Sequence, residues 1–140
     1  MKRLLAYALL PAALAAVAGC GGTACTSNAA TPQNKGGLPT CTLAAGTTAT
    51  IDIALCGKCT DSAPSCQAEF VNGQLQVGPT VQQCQEQAGC PIAAGCAFTP
   101  PHATCTVAVP VGATSGQMVV SADQTYTTQL VIGSSTNCQL

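Results

Sequence analysis

The chain has 140 residues, about one domain's worth, and carries four Lys and Arg against five Asp and Glu. Charged residues make up 6%, far below the roughly 25% usual in soluble domains, and no Trp is present. So few cations cannot track a phosphate backbone, which excludes nucleic-acid binding, and two Phe with two Tyr leave almost no platform for stacking bases or sugars.

Residues 1–19 read as a cleaved signal peptide. Lys2 and Arg3 form a short basic region, Leu4 to Val17 is apolar apart from the Tyr7 hydroxyl, and small residues close the segment. The apolar run is too short to span a bilayer, which takes about twenty residues as a helix. The ending Val17-Ala18-Gly19-Cys20 resembles the lipobox of bacterial lipoproteins. The resemblance implies cleavage before Cys20, diacylglycerol on its thiol and an acylated amine. The next residue is Gly21 rather than the Asp that retains enteric-type lipoproteins at the inner membrane, so the implied address is the outer membrane. The expected partner is therefore the lipid bilayer, reached through acylated Cys20. Without residues 1–19 the net charge is −3, from Lys35 and Lys58 against five acids. Two or three acyl chains, rather than charge, would hold such a chain to a membrane.

Residues 20–37 combine the lipidated Cys with a Gly-, Ser-, Thr- and Asn-rich segment that lacks periodicity, and read as a flexible tether. Residues 38–140 read as one disulfide-rich β domain. Besides Cys20 there are ten Cys: Cys25, Cys41, Cys56, Cys59, Cys66, Cys84, Cys90, Cys96, Cys105 and Cys138. In an exported chain this even number reads as five disulfides of open connectivity. Nine of them lie from Cys41 to Cys138, so either Cys25 is pinned to the domain or one thiol stays free. The bonds are needed. Leu, Ile, Val and Phe number 21 in residues 20–140, about 17%, which leaves little apolar area to offset chain entropy.

The predicted strands follow in chain order. Thr48 to Leu55 alternates, with Ala49, Ile51, Ile53 and Leu55 on one face. Ala68 to Val77 forms a hairpin around Asn72-Gly73, because this pair favours the two positive φ angles of a type I′ turn. A two-residue loop sets Val71 opposite Gln74, Phe70 opposite Leu75 and Ala68 opposite Val77, with Glu69 and Gln76 on the other side. Residues 79–101 read as a disulfide-clamped loop region, with a short strand or a helical turn starting at Val81. Thr104 to Val109 alternates again and ends at Pro110. Gln117 to Ser121 and Thr125 to Ile132 form a second hairpin, with Tyr126, Leu130 and Ile132 on one face and Thr128 between them. The pattern predicts a small antiparallel β-sandwich, immunoglobulin-like in shape but without the Trp signature. The Thr-x-Thr units, among them Thr40-Cys41-Thr42, Thr104-Cys105-Thr106 and Thr125-Tyr126-Thr127, share no common period, so no solenoid is expected.

Cys56-Gly57-Lys58-Cys59 has the CxxC spacing of redox centres and zinc knuckles. No βαβ pattern surrounds it and no second knuckle exists, so a structural disulfide is expected. A thiol–disulfide or metal-binding protein is the alternative. Cys90 to Cys96 could close a rigid apolar loop of the kind protease inhibitors present, a second alternative. His102 is the only His, and no GxSxG motif or paired-acid pattern accompanies it. Asp52 and Glu69 fall on the polar strand faces and read as solvated carboxylates. No catalytic residue, metal or cofactor is expected. The Cys-rich region resembles small Cys-rich lipoproteins of Gram-negative bacteria, and this resemblance assigns no functional residue. The expectation is a non-catalytic binding or structural module of the cell envelope, facing the periplasm or the cell surface, with a protein or surface ligand as further partner.

Overall fold

The structure is a computed structural model that describes residues 25–34, 36–57, 61–84, 100–122 and 124–140. The described residues are all-β, in eight strands: β1 (Cys25–Ala29), β2 (Cys41–Ala44), β3 (Thr48–Ala54), β4 (Asp61–Val71), β5 (Gln74–Cys84), β6 (His102–Ala108), β7 (Gly116–Ser121) and β8 (Thr125–Gly133). Six form one sheet in the order β1-β5-β7-β8-β2, with β4 also paired to β5. The other two, β3 and β6, form a separate antiparallel pair.

The strongest local signals set the hairpins. Asn72 and Gly73 take φ of 51° and 80°, as a type I′ turn requires. The register then places Val71 opposite Gln74, Phe70 opposite Leu75 and Ala68 opposite Val77, as the hydrophobic pattern predicts. β7 and β8 pair from Gly116 opposite Leu130 to Ser121 opposite Thr125.

Three features differ from the sequence reading. The sheet is mixed rather than wholly antiparallel, because β2 runs parallel to β8 and β5 parallel to β7. Both parallel contacts join segments distant in sequence, where no turn dictates direction. Asp61 to Pro64, for which the sequence predicts no strand, forms the first part of β4, which ladders to β5 across an irregularity between Ser62 and Ser65. Val81 to Cys84 is neither a separate short strand nor a helical turn but the end of a long β5. Both segments lack alternation, and long-range hydrogen bonds supply what periodicity does not.

Part of the segment read as tether is also strand. β1 pairs antiparallel with β5, from Cys25 opposite Cys84 to Ala29 opposite Thr80. Cys25 is disulfide-bonded, and its strand is held on the domain by the ladder to β5. Beyond β1 the chain stays paired: the Gln33 N–H donates to the Ala54 carbonyl at 2.8 Å, and the Cys56 N–H to the Thr31 carbonyl at 2.7 Å.

The C-terminal residues join the two sheets. Thr42 and Asn137 exchange hydrogen bonds of 2.9 and 2.8 Å on the β2 side. On the β3 side the Asp52 N–H donates to the Cys138 carbonyl at 3.0 Å and the Ala54 N–H to that of Leu140 at 2.7 Å. Leu140 is buried, and a disulfide from Cys41 to Cys138 locks the strap in place. A second disulfide, from Cys66 on β4 to Cys105 on β6, ties the large sheet to the small one.

One core fills the space between the sheets. Ile51, Ile53 and Leu55 from β3 and its end, Ala103 and Cys105 from β6, and Leu43, Leu75, Met118 and Val120 from the large sheet are all fully buried. Burying each large aliphatic side chain contributes about 1.5–3 kcal/mol. Thr128 is the buried polar exception among the described residues. Its hydroxyl lies 2.9 Å from the Leu38 carbonyl and 2.8 Å from that of Pro39, so its hydrogen is satisfied and the approach to β2 is pinned to β8.

Candidate functional site

The predicted site residues fall into three groups. Cys20, Cys59, Cys90 and Cys96, and with them the lipobox and the Cys90–Cys96 loop, lie outside the described residues. Cys84 is described only as the backbone end of β5. Cys25, Cys41, Cys56, Cys66, Cys105 and Cys138 are disulfide-bonded.

Cys56 sits in a tightly held bend and is disulfide-bonded. It lies just beyond β3, its N–H is held by Thr31, and the next N–H, of Gly57, donates back to the Leu55 carbonyl at 3.0 Å. A Cβ on Gly57 would sit 2.6 Å from the Pro101 ring, so the second residue of the CxxC is dictated by packing. An activated thiol usually draws on a helix N-terminus; this one lies among strands. Among the described residues no three His, Cys, Asp or Glu side chains converge on a metal position.

The structure brings together one pair that the sequence left apart. His102, at the start of β6, places Nδ1 2.8 Å from Oδ2 of Asp52 on β3. Antiparallel pairing sets Asp52 opposite Thr104 and Ala54 opposite His102, so the two side chains meet on a diagonal. Half the His102 side chain and a third of the Asp52 side chain are exposed. An exposed pair of this kind contributes about 0.2–1 kcal/mol. Around it Thr50, Thr104 and Thr106 are also exposed, so the outer face of β3–β6 is polar.

The second feature is an open cleft of about 500 Å³ on the outer face of the large sheet. Its polar side chains come from β4 (Gln67 and Glu69), β5 (Gln76 and Thr80) and β7 (Ser121), and Ala68, Val77 and Gly78 complete the lining. Glu69 lies opposite Gln76 and Gln67 opposite Gly78 in the β4–β5 ladder. Hairpin parity in the sequence puts Glu69 and Gln76 on one outer face, as observed. It could not place Ser121 beside them, because the parallel β5–β7 contact has no local signature.

No protein-family model, no curated protein and no solved structure matches the chain.

Proposed function

We propose that the chain is a cell-envelope lipoprotein, anchored in the outer membrane through acylated Cys20, whose β domain is a non-catalytic binding or structural module. The Val17-Ala18-Gly19-Cys20 sequence supports this reading, and the position of β1 sets how close such an anchor would hold the domain. The first residue of β1, Cys25, is disulfide-bonded and laddered to β5 only five residues after Cys20. Five residue steps reach at most about 18 Å. An acyl anchor at Cys20 would therefore hold the domain close to the bilayer surface instead of on a long leash. Outside residues 1–19 the chain carries two Lys, Lys35 and Lys58, against five acids. A net charge of −3 gives little attraction for anionic headgroups, which leaves attachment to the lipid chains.

Metabolic labelling with an alkyne analogue of palmitate in a Gram-negative host tests the anchor. The wild-type chain should take up label and fractionate with membranes, and Cys20→Ala should do neither. Absence of label on the wild type, or label that survives Cys20→Ala, would overturn the reading.

A further inference from the structure

We infer that the cleft lined by Gly78 is a binding site for a neutral saccharide. Gly78 sits in the interior of β5, where glycine weakens a strand and often marks a close approach by another molecule. The fold does not ask for glycine there. Its φ lies outside the left-handed region, and a Cβ built on it meets no atom within 4 Å. Gly57 is the contrast, since a Cβ there would strike Pro101. What the missing side chain at position 78 provides is space, open on the outer face and bounded by five polar side chains.

Their chemistry selects the occupant. The Gln67 and Gln76 amides each offer donors and an acceptor, the Thr80 and Ser121 hydroxyls do both, and Glu69 accepts only. With a carboxylate and no cation in the walls, an anionic ligand is repelled. A peptide strand would need a free backbone edge, whereas this cleft lies on a sheet face: Gly78 is paired to Gln67 of β4, and on the other side β7 takes β5 up to Val77 and β1 takes it from Thr80. A neutral ring with hydroxyl or acetamide groups matches the mixed donors and acceptors. No aromatic ring lines the cleft, so hydrogen bonds carry the recognition and affinity is weak, roughly millimolar.

The site names a ligand class for the binding module proposed above and rests on that reading. Palmitate labelling reads the anchor alone, so either idea can fail without the other. The test is saturation-transfer NMR on the full chain as the host produces it, purified in detergent whether or not it carries lipid, with chitotriose (N-acetylated) as probe and trigalacturonate as the charged control. Transfer to the neutral trimer and none to the charged one is expected. Gly78→Gln fills the cleft at a backbone position open to any residue, and should weaken binding at least tenfold with unchanged mobility on non-reducing gels. Gln76→Ala, which removes one wall amide and nothing from the core, should weaken it severalfold. No transfer to the wild type, equal transfer to both trimers, or wild-type binding by both variants would each overturn the proposal.

Discussion

β3 and β6 differ from β1 and β4 in what holds them. Along β3 and β6 every second residue is buried, and Ile51, Ile53, Ala103 and Cys105 have no exposed surface. β1 is exposed along its whole length, and β4 has no fully buried residue. Both regions are laddered to a neighbour, yet only the first puts fully buried side chains into the core; from β4, Cys66, Ala68 and Phe70 pack against it partly buried, and β1 contributes nothing to it. A ladder exchanges hydrogen bonds with water for hydrogen bonds with protein, and the net gain per bond is only about 0.5–1.5 kcal/mol. β1 and β4 therefore depend on covalent ties: Cys25 lies in a disulfide at the start of β1, and Cys66 joins β4 to Cys105 of the buried pair.

The contrast can be broken first at the covalent ties. The Cys41–Cys138 bond closes a span of 97 residues and Cys66–Cys105 one of 39. Restricting the unfolded chain over such loops contributes about 4.7 and about 3.9 kcal/mol respectively. Cys66→Ala with Cys105→Ala should lower unfolding free energy by most of the smaller value. Hydrogen exchange should rise along β4 well before it rises along β3. Equal acceleration in both strands would mean that β4 is held by packing after all.

Burial is the next test. Ile53→Ala removes a fully buried side chain and should cost about 2–5 kcal/mol in denaturant unfolding. Ser27→Ala, on exposed β1, should stay within about 0.5 kcal/mol. Similar losses at both positions would erase the distinction between the regions.

The smallest effect concerns the irregularity in β4. Ala63 has φ of 45°, a conformation that strains a residue with a Cβ, and it sits between Ser62 and Ser65 where the ladder shifts. Ala63→Gly should raise the melting temperature by a few degrees, corresponding to about 0.5–1 kcal/mol. A fall would show that stiffness in the unfolded chain outweighs strain at this position.

The parts of the fold legible in the sequence are those that local chemistry specifies. Asn72-Gly73 dictates a turn, the turn dictates register, and Phe70 and Leu75 agree with it. Ala49, Ile51, Ile53 and Leu55 announce a half-buried strand, and Cys105, Val107 and Val109 another. The candidate site was legible only in pieces. Glu69 and Gln76 share a face by hairpin parity, whereas Ser121 reaches the same cleft through a parallel contact with no turn to signal it. His102 and Asp52 are 50 residues apart and meet only because β3 and β6 pair. β1 was hidden because an exposed edge strand has no apolar alternation to display.

By itself, the sequence determined the all-β class, the need for disulfides and the buried face of the strands that alternate, such as Thr48 to Leu55 and Thr104 to Val109. These follow from residue-by-residue preferences: turn geometry, the twofold period of a strand, and a shortage of large apolar side chains. Tertiary structure alone decided which strands became neighbours, which Cys joined which, and where the C-terminal strap and Cys25–Gln33 would lie. Those outcomes depend on hydrogen bonds and contacts between distant segments, which satisfy a backbone of any sequence and so leave no mark in the residues that make them.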